Sequence, residues 1–218
     1  MRLFSVLLFA TLLHAADAED RVKASADVLR EIMAVSDRSI PQDLLDKATC
    51  AVVIPGMKKA AFIIGAKFGR GFLSCRKDGG GWSAPAGVRM EGGSVGFQIG
   101  GSETDLIMLV LNQTGANKLL ESKFTLGADA SVAAGPVGRT SSAETDALMR
   151  AEILSWSRTR GAFAGISLKG ATLRPDEAAN EEMYGKKLTN RDIVSGSIET
   201  PAAGQELVGL LTKYSGRK

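Results

Sequence analysis

Residues 92–138 constrain the fold more than any other segment, because they are rich in glycine and still strongly apolar. A glycine-rich polar segment is typical of a linker, whereas glycine among alternating apolar residues is typical of tightly bent strands. Apolar and small or polar residues alternate over 95–99 and again over 124–132, which predicts two half-buried strands. The unbroken apolar run 106–111 predicts a strand covered on both faces.

Turn residues and further apolar runs extend this strand-rich region in both directions. Twenty of the 25 glycines fall between Gly56 and Gly170, so the bends are concentrated in the middle of the chain. We expect turns at Pro55–Gly56 and around 78–81, and further strands near 153–158 and 162–168. The pattern predicts a strongly bent antiparallel sheet and leaves open whether this sheet closes into a barrel.

Helical periodicity is found at both ends of the chain. Residues 20–37 predict an amphipathic helix, and Pro41 begins a short second helix that ends near Ala48. The chain becomes helical again after Pro175, with Gly185 as a C-terminal cap, and a last helix follows Pro201. One more helix, over 113–121, interrupts the strands. Together these elements predict an α+β fold with helices flanking the sheet.

Three sequence blocks resemble a known family. They are SVGFQIGGSETDLIMLVLN, SKFTLGADASVAAGPVGR and SRTRGAFAGISLKGATLRPDEAANEEMYG, and they resemble the SYLF family, also called the Ysc84 lipid-binding or actin-regulator domain. The resemblance covers roughly residues 24–213 and is long enough to be specific. It implies binding of phosphoinositides or other anionic lipids, and in some fungal members binding of actin filaments.

The first 18 residues have the pattern of a secretory signal peptide. Arg2 is followed by an apolar run over 3–13, and residues 16–18 are small-acidic-small. We therefore expect residues 1–18 to be a signal peptide, 19–218 to be a single domain, and the chain to be exported as a periplasmic or secreted, bacterial-type protein. Some animal relatives carry a hydrophobic segment ahead of the domain that contributes to lipid binding, so the signal peptide weakens any inference of phosphoinositide specificity.

The chemistry available to the chain argues against catalysis and cofactors. His14 is the only histidine and lies within the predicted signal peptide, so imidazole-based nucleophile and metal sites are not expected in the domain. The glycine patterns lack the strand–turn–helix context or the lysine of nucleotide-binding loops. No spacing among the carboxylates indicates an acid–base pair. We therefore expect a non-enzymatic protein without a cofactor, without a bound metal and without a nucleic-acid partner.

Cys50 and Cys75 are the two cysteines of the chain. An even number of cysteines in an exported protein indicates a disulfide, and two separately buried thiols are the alternative. A disulfide over a loop of this size contributes roughly 3 kcal/mol in the chain-entropy model.

The strongest candidate for a binding surface is a basic segment. Seven basic residues and one acidic residue, Asp78, lie within 56–90, although the whole chain carries a formal charge of only +3. The predicted lipid-binding residues are Lys58, Lys59, Lys67, Arg70, Arg76 and Lys77. If the turns that carry them lie at the same end of the sheet, they form one cationic surface for peripheral contact with anionic lipids. A solvated outer face with scattered partners is the alternative.

Several other possibilities remain open on the sequence alone. The first helix either docks on the core or lies in a lipid interface through its basic residues. Trp82 is either a packed core residue or an interfacial anchor. The family resemblance also allows a protein-interaction module of the actin-binding kind, and a bent sheet allows a carrier that holds an apolar ligand inside it.

Overall fold

The structure is a computed structural model, and it describes residues 3–35, 39–61, 64–95, 100–136, 151–159, 162–163 and 168–216. Six α-helices lie in these ranges: α1 (Leu3–Ala34), α2 (Gln42–Lys47), α3 (Gln113–Leu119), α4 (Glu177–Tyr184), α5 (Asn190–Ser195) and α6 (Gln205–Tyr214). A 3₁₀ turn over Ala202–Gly204 leads into α6. Side chains of α1 are described from Ala18 onward.

Nine strands of the described ranges form one strongly curled sheet. They are β1 (Cys50–Ala61), β2 (Ile64–Cys75), β3 (Ala86–Val95), β4 (Gly100–Val110), β5 (Phe124–Thr125), β6 (Val132–Ala134), β7 (Ile153–Thr159), β8 (Ala162–Phe163) and β9 (Thr172–Pro175). Their order is β5-β9-β3-β2-β1-β4-β7-β6, with β8 on β7. The pairs are antiparallel except β6 with β7, which is parallel. The predicted α+β class, bent sheet and flanking helices are confirmed.

The central strands have two buried faces, as the apolar run over 106–111 predicted. In β4, Leu106 and Met108 belong to the core inside the curl, whereas Ile107 and Leu109 belong to the core beneath the helices. All four side chains are nearly inaccessible to solvent. The helices α1, α2, α4 and α6 contribute to the outer core, so the curled sheet lies between two apolar layers.

The turn predicted at Pro55–Gly56 is wrong. Strand β1 continues through these residues to Ala61, and Gly56, at φ +54°, lies in an irregularity where the register against β2 and β4 shifts. A proline–glycine pair ends many strands, but here the extra residues form a bulge that bends the strand and lets it continue. The turn predicted around 78–81 is confirmed.

The continuous strand predicted over 124–132 is also wrong. The chain turns at Gly127, which has φ +81°, and Gly127 N–H donates to the carbonyl of Ala130. Two short strands, β5 and β6, therefore replace the long one. These two strands lie at opposite ends of the strand order, and only six residues connect them. The sheet is therefore curled so far that its two edges lie close together. The predicted strand residues 96–99 and 164–167 lie outside the described part.

Helix α1 docks on the outer face of the sheet. Val22, Ala26, Leu29 and Ile32 are buried, which confirms the docking alternative for this helix. The basic side chain of Arg30 pairs with Glu206 of α6. Within the described residues, no helix has both the length and the apolar character needed to cross a membrane. The signal peptide predicted over 1–18 stays a prediction.

The predicted helix boundaries follow local capping chemistry. Asn112 caps α3 by accepting a hydrogen bond from Gly115 N–H at 2.7 Å, and Asp176 caps α4 in the same way through Ala179. Gly185 ends α4 with φ +65°, as the sequence predicted. These caps confirm the helices predicted after residues 112 and 175.

Candidate functional site

The six predicted lipid-binding residues do not form one surface. Lys58, Lys59 and Lys67 lie near the tip of the β1–β2 hairpin, whereas Arg76 and Lys77 follow the far end of β2. Because strands rise about 3.3 Å per residue, roughly 25 Å of strand separates the two groups. The condition for a single cationic surface is therefore not met, and the two ends must be considered separately.

At the hairpin tip, the strand pairing sorts the three lysines onto two faces. Lys58 is opposite Phe68 and Lys59 is opposite Lys67, and directly opposed residues share a face of the sheet. Phe72 of the same strand as Phe68 belongs to the outer core, which places Lys58 and Phe68 on the outer face. Both are exposed, with Phe68 at 48%. We call this pair the tip patch.

The other two lysines at the tip face the inside of the curl. Lys67 is only 8% exposed, and its pKa is lowered because burial disfavours the ammonium ion and because Lys59 repels it. A buried lysine with a lowered pKa is less available to an external partner than the exposed Lys58. The predicted role of Lys59 and Lys67 in binding lipids stays a prediction.

Arg70 lies below the tip patch and is engaged inside the protein. Its Nε donates to Asp176 Oδ2 at 2.6 Å and its Nη2 donates to Asp176 Oδ1 at 2.9 Å. Arg21 of α1 approaches the same carboxylate at 3.8 Å. Burial alone would raise the pKa of Asp176, but the hydrogen bonds and charge of Arg70, aided by Ala179 N–H and Arg21, lower it below its usual range. Arg70 therefore has a structural task at this position.

The remaining two residues, Arg76 and Lys77, line a cleft of about 370 Å³ at the opposite end of the sheet. We call it the disulfide cleft, because Cys50 and Cys75 form part of its lining. These cysteines are opposed in the β1–β2 register, and their sulfur atoms are 2.06 Å apart. The predicted pairing of Cys50 with Cys75 is therefore seen in the structure. The other walls come from α3, α5 and the residues that follow α5.

Sequence reasoning missed two features of these surfaces. Arg191 of α5 lines the disulfide cleft, although it is more than a hundred residues away from Arg76 in the chain. Phe68 is exposed, although it belongs to an apolar-rich strand. Phe68 shares the outer face of β2 with the buried Phe72, so alternation alone predicts that both are covered, and no local signal shows that the helices leave the Phe68 end of this face exposed.

The two tryptophans are packed residues. Trp82 is 3% exposed and its indole N–H donates to Ser215 Oγ at 3.1 Å, while Trp156 donates to the carbonyl of Pro136 at 2.8 Å. The core alternative for Trp82 is therefore confirmed over the interfacial anchor. The described residues hold no group of three or more acidic, histidine or cysteine side chains that could ligate a metal.

The curled sheet lies between two apolar layers and carries cationic side chains at both of its ends. The protein is therefore an α+β domain whose two candidate binding sites, the tip patch and the disulfide cleft, lie at its surface. The family model described as "Ysc84: Las17-binding protein actin regulator" matches residues 91–214. The chain belongs to this Ysc84, or SYLF, family, as its sequence blocks predicted.

Curated relatives support the same assignment. The chain is 35% identical over 175 residues to the SH3 domain-containing protein PJ696.02 of Schizosaccharomyces pombe. The aligned region covers 79% of this chain and 40% of that protein. It is 33% identical over 179 residues to LAS seventeen-binding protein 3 of Saccharomyces cerevisiae, at 81% and 39% coverage. With the SH3 domain-containing YSC84-like protein 1 of Rattus norvegicus the identity is 30% over 204 residues, at 90% and 59%. The chain thus spans about two fifths to three fifths of these relatives.

Proposed function

We propose that this chain is a non-enzymatic protein-interaction module that binds a protein partner through the tip patch. The single observation that carries the proposal is the exposure of Phe68 beside Lys58 at the end of two twelve-residue strands. An aromatic side chain flanked by a cation is a common anchor in protein interfaces. The names of the family and of the yeast relative, which refer to Las17 binding and actin regulation, support a protein partner.

The geometry of the tip suits a partner that approaches from outside. Strands β1 and β2 are held by β4 and β3 on either side along most of their length, so the patch stands on a supported part of the sheet. A supported anchor loses little conformational freedom on binding. Glu103 is the β4 neighbour of Lys58 and Glu91 is the β3 neighbour of Phe68. This acidic flank favours a partner with defined charges over one with uniform negative charge.

Co-sedimentation with actin filaments tests the proposal, because the family description names actin regulation. We expect Phe68→Ala to weaken binding about thirtyfold, the loss of a central aromatic anchor, and Lys58→Glu to weaken it by a smaller factor. Lys186→Glu is the matched control, since it makes the same charge change at an exposed site directly after Gly185, outside the tip patch. An unrelated basic protein controls for simple charge attraction.

The outcome that contradicts the proposal is specific. Filament binding that is equal for the wild type, the Phe68→Ala variant and the unrelated basic protein would show that no specific interface exists at the tip patch. Absence of any sedimentation with filaments would remove actin as the partner and, with it, the support drawn from the family description.

Anionic lipid is the second candidate ligand for the same tip. The observation in its favour is the exposed ring of Phe68 beside Lys58 on the outer face of the hairpin tip, with Lys59 on the inner face of the same tip. Each cation near an anionic leaflet contributes about 1 kcal/mol. Vesicle co-sedimentation separates the two candidates. Binding to anionic but not to zwitterionic vesicles, lost in Lys58→Glu/Lys59→Glu, supports lipid; equal binding to both kinds of vesicle contradicts it.

The proposed location is an exported compartment, periplasmic or extracellular. The signal-like pattern over 1–18 supports it, and the paired Cys50 and Cys75 suit an oxidising compartment. N-terminal sequencing of the protein from a secreting host tests this proposal. We expect the mature chain to begin at Glu19, and recovery of an unprocessed chain in the reducing cytoplasm would contradict it.

A further inference from the structure

The disulfide cleft at the opposite end of the sheet has features of a ligand site that the proposed function does not use. We propose that it binds a short peptide segment rich in carboxylate side chains, as a second site separate from the tip patch. The cleft is lined by the disulfide, by the residues that follow β2, by α3, and by α5 with the residues after it. Its volume of about 370 Å³ lies within the usual range for ligand pockets.

The charge of the cleft selects for an anionic ligand. Arg76, Lys77 and Arg191 contribute three cations against one carboxylate, that of Asp78. They come from two separate parts of the chain, the end of β2 and the first turn of α5. No ion pair within the described ranges occupies Lys77 or Arg191, both of which are exposed. A cluster of this kind raises the local concentration of acidic segments and speeds their association.

Arg76 is held in place before any ligand arrives. Its guanidinium carbon lies 4.3 Å from the centroid of the Trp82 ring, and its Nη2 donates to the carbonyl of Leu45 at 3.1 Å. Its backbone N–H donates to the carbonyl of Thr49 at 2.8 Å. A side chain fixed by stacking and hydrogen bonds loses little further freedom on binding, so more of its interaction energy remains as affinity.

Amide side chains on α3 give the cleft groups that match a peptide backbone. Gln113 Nε2 donates to Asn117 Oδ1 at 3.1 Å, which orients the two amides along one face of the helix. The Gln113 carbonyl and the Asn117 amino group can still accept and donate hydrogen bonds, respectively. A backbone peptide unit presents the complementary N–H and C=O groups.

The apolar lining and Asp78 favour a peptide over a compact, densely charged anion. Ala116, Leu120, Val194 and the disulfide offer apolar area to small side chains. The carboxylate of Asp78 repels a compact polyanion, whereas it can accept a hydrogen bond from a peptide N–H. Carboxylates spaced along a peptide can reach the three cations and leave the space beside Asp78 to the backbone.

Fluorescence anisotropy with defined peptides tests the site on the full domain. The probes are short fluorescein-labelled peptides in which glutamates are spaced by one, two or three alanine or leucine residues, each with a counterpart that has glutamine at every glutamate position. We expect glutamate peptides to bind and glutamine peptides to bind at least tenfold more weakly. The double variant Lys77→Glu/Arg191→Glu should weaken binding about tenfold or more, because attraction becomes repulsion at two positions.

Two control variants separate this site from the tip patch and from net charge. Lys186→Glu/Lys187→Glu makes the same charge change at exposed positions outside the cleft, and we expect it to bind the peptides within about twofold of the wild type. Phe68→Ala should also bind the peptides normally, even if it abolishes partner binding at the tip. Circular dichroism confirms that each variant is folded.

Three results would overturn the proposal. The first is a set of glutamate peptides that bind no better than their glutamine counterparts. The second is equal weakening by the cleft pair and the control pair of charge reversals, which would indicate attraction by overall charge. The third is displacement of bound peptide by anionic vesicles or inorganic phosphate at lower concentration than by unlabelled peptide, which would assign the cleft to phosphate groups.

Discussion

Arg70 and Asp176 join strand β2 to the first turn of α4 through two hydrogen bonds, at 2.6 Å and 2.9 Å. Asp176 is 4% exposed at its side chain and Arg70 is 30% exposed. The same carboxylate caps α4 and is approached by Arg21 of α1. One acidic side chain therefore joins a strand and two helices, and the hydrogen bonds and charge of Arg70, a residue that the sequence predicts to bind lipid, help to lower its pKa.

Replacing Asp176 with asparagine tests this network. Asparagine can still cap the helix, but it leaves Arg70 without its anionic partner, so we expect a loss of roughly 3 kcal/mol in the free energy of unfolding at neutral pH. Urea denaturation measures this loss. Glu177→Gln, one residue along and exposed, is the control and should cost less than about 0.5 kcal/mol.

The lowered pKa of Asp176 also predicts how the stability difference between the wild type and Asp176→Asn depends on pH. The folded-state pKa of Asp176 is lowered from 3.8, so its stabilisation is present above that unfolded value and is lost as the pH falls toward the folded pKa. The stability gap between the wild type and Asp176→Asn should therefore be constant at neutral pH and should shrink as the pH falls below about 4. A gap that is unchanged in acid would show that the lowered pKa does not contribute to stability.

The disulfide provides a second stability prediction. Because Cys50 and Cys75 are 25 residues apart, their bond should contribute about 3 kcal/mol by restricting the unfolded chain. We expect Cys50→Ala/Cys75→Ala to lose about that amount, measured by urea denaturation. The variant is also its own redox control: adding a reductant should destabilise the wild type and leave the variant unchanged. Equal sensitivity of both proteins to reductant would contradict the prediction.

Docking of α1 on the sheet provides a third stability prediction. Leu29 is fully buried between the helix and the outer core, so Leu29→Ala should cost about 3 kcal/mol through lost transfer energy and the remaining cavity. Val35, just after the helix, is 49% exposed, and Val35→Ala should change stability by less than about 0.5 kcal/mol. Thermal or urea unfolding measures the stability of the two variants against the wild type. A small effect at Leu29 would mean that α1 is not held on the sheet in solution.

The elements that the sequence predicted well are those whose signal is local. The apolar run of β4 shows burial on both faces without any knowledge of its neighbours. The side chains of Asn112 and Asp176 cap helices through contacts only three residues away. Hydrophobic periodicity and helix capping are properties of short segments, so they can be read from the sequence without knowledge of the tertiary contacts.

The features that were not predicted depend on contacts between distant segments. The apolar residues Leu126 and Ala130 are both buried, so the alternation over 124–132 hides the turn between them. The placement of the basic residues depended on whether Pro55–Gly56 ends β1 or bends it, and only pairing with β2 and β4 decides that. Arg191 reaches the disulfide cleft because α5 packs there, which no pattern near Arg76 could indicate.

A glycine in the bent hairpin gives the most direct test of the curl. A Cβ atom at position 71 would lie 2.0 Å from the carbonyl oxygen of Val53 and 2.7 Å from the Cα of Ile54, beside the bulge in β1. These are backbone atoms, so Gly71→Ala should force the strands apart and cost about 2 kcal/mol or more. A Cβ atom at Gly93 of β3 meets nothing within 4 Å, and Gly93→Ala should be neutral or slightly stabilising. Urea denaturation of the two variants decides, and equal stabilities would mean that β1 and β2 do not approach this closely at the bend.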